Sequence, residues 1–127
     1  MTHRHLPLLL LGIVPFALGA CVHVREATGD AVAWVRDALQ TTVDAPLDRT
    51  VKATTKALKN LQFAEIAIKA DALSGVATAK TARDEKIEIT ITSVTPVQTR
   101  IDIRVGAFGD KPVSQRILSE IQQELRD

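Results

Sequence analysis

The chain has 127 residues, of which 46% are hydrophobic and 24% charged, with 16 Lys and Arg against 15 Asp and Glu. That near-balance excludes a general nucleic-acid binder, whose affinity depends on an excess of cations that neutralise phosphates. A single cysteine excludes an intramolecular disulfide, and the length fits one domain of ordinary size rather than two.

Residues 1–20 read as a cleaved export signal. Met1 to His5 carry Arg4 as a short basic opening, and Leu6 to Leu18 form an apolar stretch built on Leu8, Leu9, Leu10 and Leu11. The stretch is too short for a membrane-spanning helix, which needs about 20 residues, and Pro7 and Pro15 weaken it further as a permanent span. It ends in Leu18-Gly19-Ala20-Cys21, which resembles the bacterial lipobox: an aliphatic residue, two small residues, then a cysteine acylated on sulfur. The small side chains let a peptidase approach the backbone, and the thiol is the nucleophile that takes the lipid. The resemblance implies that Cys21 is the lipidated first residue of the mature chain. Arg4 is the one Lys or Arg of the signal, so the mature side chains sum to about zero charge.

Residues 21–30 are the lipidated Cys and a tether, short of large apolar residues and containing Gly29. Fully extended, the residues after Cys21 reach roughly 30 Å. Residues 31–127 form the folded domain. Ala31 to Val43 stays open between helix and strand. Ala31, Trp34, Val35, Ala38 and Leu39 approximate a helical stripe, whereas Leu39, Thr41 and Val43 alternate as a strand does. Asp44-Ala45-Pro46 then opens a helix, with Asp44 as a cap candidate and the proline in the first turn. Leu47, Val51, Thr54, Leu58 and Leu61 follow at three- and four-residue steps, which places them in a sector about 80 degrees wide.

Four strand candidates come next. Gln62 to Lys69 and Leu73 to Lys80 flank Ala70-Asp71-Ala72, and Gly75 marks a weak or bulged point in the second. Ile87, Ile89 and Ile91 alternate with polar residues, as do Ile101, Ile103 and Val105. Folding this pair about Pro96 sets Ile87 against Val105, Ile89 against Ile103, Ile91 against Ile101, and Glu88 against Arg104 on the opposite face. Gly106-Ala107-Phe108-Gly109 ends the strand, and Asp110 with Pro112 opens a second helix whose apolar side is Val113, Ile117, Leu118, Ile121 and Leu125. The predicted fold is a two-layer α+β sandwich, an antiparallel sheet with two amphipathic helices in the order β-α-β-β-β-β-α.

Thr41 to Arg49, Ala57-Leu58 with Phe63, Asp71 to Gly75, and Arg104-Val105-Gly106-Ala107-Phe108-Gly109-Asp110 together resemble a family of small bacterial lipoproteins known only as a domain of unknown function. The similarity covers about Val32 to Leu125, and its last stretch is the most specific. It implies an envelope location and a strand for Ala31 to Val43, and no activity. One departure is Ala82-Arg83-Asp84-Glu85, a longer polar loop where such relatives have a tight Asp-Gly type turn. The layout also looks like that of helix-grip modules in lipoproteins that assist outer-membrane protein assembly, an analogy of fold alone. Val22 stands where enteric-type lipoproteins kept at the inner membrane have Asp, which favours the outer membrane, facing the periplasm.

The inventory of the domain speaks against an enzyme. His3 and His5 leave with the signal and His23 lies in the tether, so the domain has no histidine, free thiol or tyrosine, and no cofactor or metal site is expected. Asp84-Glu85 and Glu120 with Glu124 read as exposed loop and helix-surface charges. Gly106 to Gly109 reads as a turn capped by Asp110 rather than an anion cradle, because that carboxylate would occupy the helix donors. Phe108 is expected as a plug at the core edge. Trp34 is expected in the core rather than at a membrane interface. Arg49, Lys52, Lys56 and Lys59 form a cationic stripe about 160 degrees from the apolar side of their helix; it reads first as a solvated face and second as a surface for anionic lipid headgroups or an acidic partner.

The expected function is a membrane-tethered, non-catalytic envelope module, held through acylated Cys21, that binds another protein or a cell-wall component. The competing class is a small-ligand or lipid binder, with a carboxylate-based enzyme as a remote third. A filled interior favours the first class, and a cavity lined by Leu58, Ile89, Ile103 and Ile117 the second.

Overall fold

A computed structural model describes residues 31–127; the signal, Cys21, His23 and the tether lie outside them. The strongest alternation in the chain makes the centre of the sheet. Strands β5 (Lys86–Thr95) and β6 (Gln98–Val105) form a hairpin closed by Pro96 and Val97, in the register that the alternation predicts: Ile87 opposite Val105, Ile89 opposite Ile103, Ile91 opposite Ile101. All six side chains are 1% exposed or less, and each buried side chain of this kind contributes about 1.5–3 kcal/mol. Glu88 does sit opposite Arg104. Their charges go elsewhere, however: Glu88 Oε2 is 3.0 Å from Lys86 Nζ, and Arg104 Nη2 donates to the Arg36 carbonyl at 2.8 Å.

The remaining strands are β1 (Ala33–Val35), β2 (Ala38–Val43), β3 (Ala64–Ala70) and β4 (Ser74–Lys80), giving an antiparallel six-stranded sheet in the order β1-β2-β6-β5-β4-β3. Helices α1 (Leu47–Asn60) and α2 (Lys111–Arg126) cover one face, α2 over β2 and β6, and α1 from β6 outward to β3. This is the expected α+β sandwich. The segment left open between helix and strand is strand in two pieces, with Arg36 and Asp37 turning between β1 and β2 at φ of 48° and 63°. Two consecutive left-handed residues are what a two-residue hairpin turn requires.

Three local expectations are corrected. Asp44 is not the cap of α1: the helix begins at Leu47 after an extended Pro46 with no side-chain cap, and Asp44 Oδ1 instead accepts from Gln98 Nε2 at 3.0 Å. Gly75 is not a bulge; the register runs through it unbroken, and the irregularity lies between Ala64 and Ala67, where Glu65 has φ 53°. Gly75 serves close approach, since a Cβ there would stand 3.2 Å from Ala70 Cβ and 3.4 Å from Val51 Cγ2 of α1. The buried side of α1 is also broader and turned about 50 degrees from the large apolar residues, by the same helical arithmetic. It consists of Thr50, Ala53, Thr54, Ala57 and Leu58. The two threonines enter because their hydroxyls donate to carbonyls one turn back, Thr50 to Pro46 at 2.9 Å and Thr54 to Thr50 at 2.8 Å.

The cap of α2 is as expected, with Asp110 Oδ1 accepting the Val113 N–H at 3.0 Å and Pro112 in the first turn. Between the layers, Leu58, Ile89, Ile103 and Ile117 are all fully buried in one contiguous cluster. These residues thus carry a complete core of their own.

Candidate functional site

The cationic stripe forms where the spacing places it. Arg49, Lys52, Lys56 and Lys59 are all exposed on α1. Two of them are tied to the neighbouring helix: Arg49 Nη2 donates to the Leu125 carbonyl in the last turn of α2, and Lys56 Nζ lies 4.0 Å from Glu124 Oε2. A cation on a helix's last carbonyls is favourable, because those carbonyls lack partners and carry the negative end of the helix dipole. Asn60 Nδ2 adds bonds to Glu120 Oε1 at 3.1 Å and Glu124 Oε1 at 2.8 Å. Glu120 and Glu124 therefore face α1 rather than open solvent, and the Glu124 side chain is only 15% exposed. The helix–helix seam opens into a shallow groove of about 450 Å³ between Arg49, Lys56, Glu124 and Asp127. Half of the stripe thus ties the two helices together, while Lys52 and Lys59 project from exposed positions.

A second groove, about 460 Å³, lies at the start of α1 between Leu47, Val51, Asp71, Ser93 and Pro96. Of its two carboxylates, Asp48 and Asp71, the second is occupied: Asp71 Oδ1 accepts the N–H groups of Leu73 at 2.8 Å and Ser74 at 2.9 Å, which holds its pKa below the ordinary carboxylate value. In the loop before β5, Asp84 is ion-paired with Lys80 at 3.3 Å. Lys80 also meets Glu65 at 3.3 Å, and the two carboxylates, Glu65 foremost, raise its pKa. Among the described residues no group of three or more His, Cys, Asp or Glu could hold a metal ion.

The most exposed large apolar side chain of the described residues is Phe108, at 86%. It is not the core plug the sequence suggests. Gly106 and Gly109 flank its loop in left-handed conformations, φ 70° and 76°, and hold it off the end of the sheet. Trp34 is likewise outside the core, 36% exposed on the edge strand β1, because β1 extends past the layer that α2 covers. Trp34 lies against the loop that carries Phe108: a Cβ on Gly109 would stand 2.8 Å from Trp34 Cζ2 and 2.3 Å from the Asp37 carbonyl oxygen. Val32 and Val35, 49% and 44% exposed, extend the same edge. Isolated exposed apolar residues are ordinary; two aromatics and two valines gathered at one edge make this patch a candidate surface. The sequence shows a loop there, with Phe108 set between Gly106 and Gly109, but nothing that puts it beside Trp34.

Comparison with known proteins places the chain in a family but brings no activity with it. No curated protein matches it. The family model described as "Protein of unknown function (DUF3568)" matches residues 4–124, and the chain belongs to that family.

Proposed function

We propose that this protein is a lipid-anchored module of the bacterial cell envelope, held in the membrane by acyl chains on Cys21, facing the periplasm, and acting by binding another envelope component rather than by catalysis. The observation that carries the reading is the Leu18-Gly19-Ala20-Cys21 sequence at the end of a short apolar stretch, with a short tether and a single domain after it. The family match agrees with it, because the matched span, residues 4–124, includes the apolar stretch and Cys21 as well as the domain. The outer membrane is the favoured address, on the strength of Val22.

The filled interior supports an interaction module over a ligand carrier. Leu58, Ile89, Ile103 and Ile117, which would line a cavity between sheet and helices, are each 0% exposed and packed together. The absence of histidine, thiol and tyrosine from residues 31–127 supports a non-catalytic role. Intact-mass analysis of the protein purified from its own membranes tests the anchor. The expected product starts at Cys21 and carries acyl mass on it. A chain that still starts at Met1, or a bare sulfur at position 21, overturns the proposal.

A further inference from the structure

We propose that the edge formed by β1 and the β6–α2 loop docks onto the bilayer surface, with Phe108 inserted at the interface and Trp34 and Val32 beside it. This deepens the reading of an anchored lipoprotein and rests on it. Three observations converge on the edge. Phe108 is 86% exposed in a loop whose two left-handed glycines display it, an arrangement with nothing in the domain to pack on. Trp34, packed against Gly109, puts an indole beside it, and tryptophan and phenylalanine with their apolar bodies in the headgroup layer are the side chains that membrane interfaces favour.

The third observation selects the occupant. The described chain begins at Ala31, two residues before β1, so the segment leading back to Cys21 leaves from this same edge. Fully extended, that segment reaches roughly 30 Å, about the diameter of a small domain. At any extension short of that limit the segment cannot reach around the domain, so a chain anchored at Cys21 keeps this edge turned toward its membrane, where the apolar patch meets lipid. Charge contributes little, because Arg36, Arg104 and Lys111 at this edge are matched by Asp37 and Asp110 beside them in sequence and by Glu85, whose carboxylate lies 3.8 Å from a Cβ position at Gly106. Docking is accordingly expected to be insensitive to salt, unlike attraction between a cationic surface and anionic headgroups.

Trp34 is the one tryptophan of the sequence and reports on the edge directly. The native acylated protein is placed in vesicles of phosphatidylethanolamine and phosphatidylglycerol. In parallel, the mature chain is coupled through the Cys21 sulfur to a maleimide lipid in the same vesicles, which tests docking whether or not the cell acylates it. In both arms Trp34 is expected to be quenched by lipids brominated on their acyl chains and to lose roughly half or more of its iodide quenching, as for an indole at the interface. Phe108→Ser, a change at an exposed position, is expected to reverse both effects with the melting temperature unchanged. Trp34 open to iodide in both arms overturns the proposal. So does shielding that grows with protein concentration in the absence of vesicles, which would make a second copy the occupant. An unmodified Cys21 in the native product would sink the anchor reading while the coupled arm still scores the docking. Acylated Cys21 with an open Trp34 would sink the docking alone.

Discussion

Gly109 is where one residue decides the geometry of the proposed edge. Both loop glycines have positive φ, so alanine at either is strained, but their surroundings differ. At Gly106 the nearest atoms to a Cβ belong to the Glu85 carboxylate at 3.8 Å, ordinary contact, whereas at Gly109 the Asp37 carbonyl oxygen would be 2.3 Å away. Backbone cannot yield as a side-chain end can. Gly106→Ala is expected to cost about 1–2 kcal/mol, the conformational term alone, and Gly109→Ala above about 3 kcal/mol, because strain and overlap add. Urea denaturation of the two variants measures the difference, and equal losses would mean that the β1–β2 turn does not bear on Gly109. Trp34 and Phe108, on either side of this contact, are the two residues whose exposure the sequence does not disclose. Large aromatics are usually buried, and nothing in their local pattern says that one lies on an edge strand and the other beyond the sheet's end.

The elements differ in how much of their placement the sequence discloses. The β5–β6 hairpin is legible to the residue, because six β-branched side chains alternating strictly with polar ones fix the buried face, and the tight turn at Pro96 selects the register among those that keep it. The β1–β2 hairpin is not, because its turn uses Arg36 and Asp37 in left-handed conformations that ordinarily signal themselves through Gly or Asn. Helix α1 is legible as a helix but not in its facing. Its large apolar residues point at the sheet, while α2 claims a further sector through alanines, which carry little hydrophobic signal. Ala53 lies on the seam beside Glu124 and Asp127, and Ala57, one turn on, is fully buried. Small residues there set how closely the helices approach. Ala57→Leu is therefore expected to destabilise by about 1–3 kcal/mol through overpacking, although leucine is nearly as good a helix former. Thermal denaturation checks it, and an unchanged midpoint would show slack at the seam.

At the scale of the whole molecule, the strand order sets two candidate membrane-facing surfaces against each other. The α1 stripe was legible in the sequence because helical spacing alone assembles it, whereas the Phe108 edge exists only once β1 is known to lie outside β2 and next to the loop before α2. Because α1 covers the sheet from β6 outward to β3 while β1 forms the opposite edge, one bilayer plane does not serve the stripe and the Phe108 edge equally. The structure has already engaged Arg49 and Lys56 with α2, so the stripe's remaining means of reaching lipid are Lys52 and Lys59. Exposed charges of this kind act through a field that about 0.15 M salt screens within roughly 8 Å. Insertion of Phe108 does not depend on that field. Reversing both lysines, Lys52→Glu with Lys59→Glu, is accordingly expected to leave the shielding of Trp34 on phosphatidylglycerol-containing vesicles unchanged at low and at high salt. A loss of shielding in the double variant, restored by neutral vesicles, would show that α1 rather than the β1 edge faces the membrane.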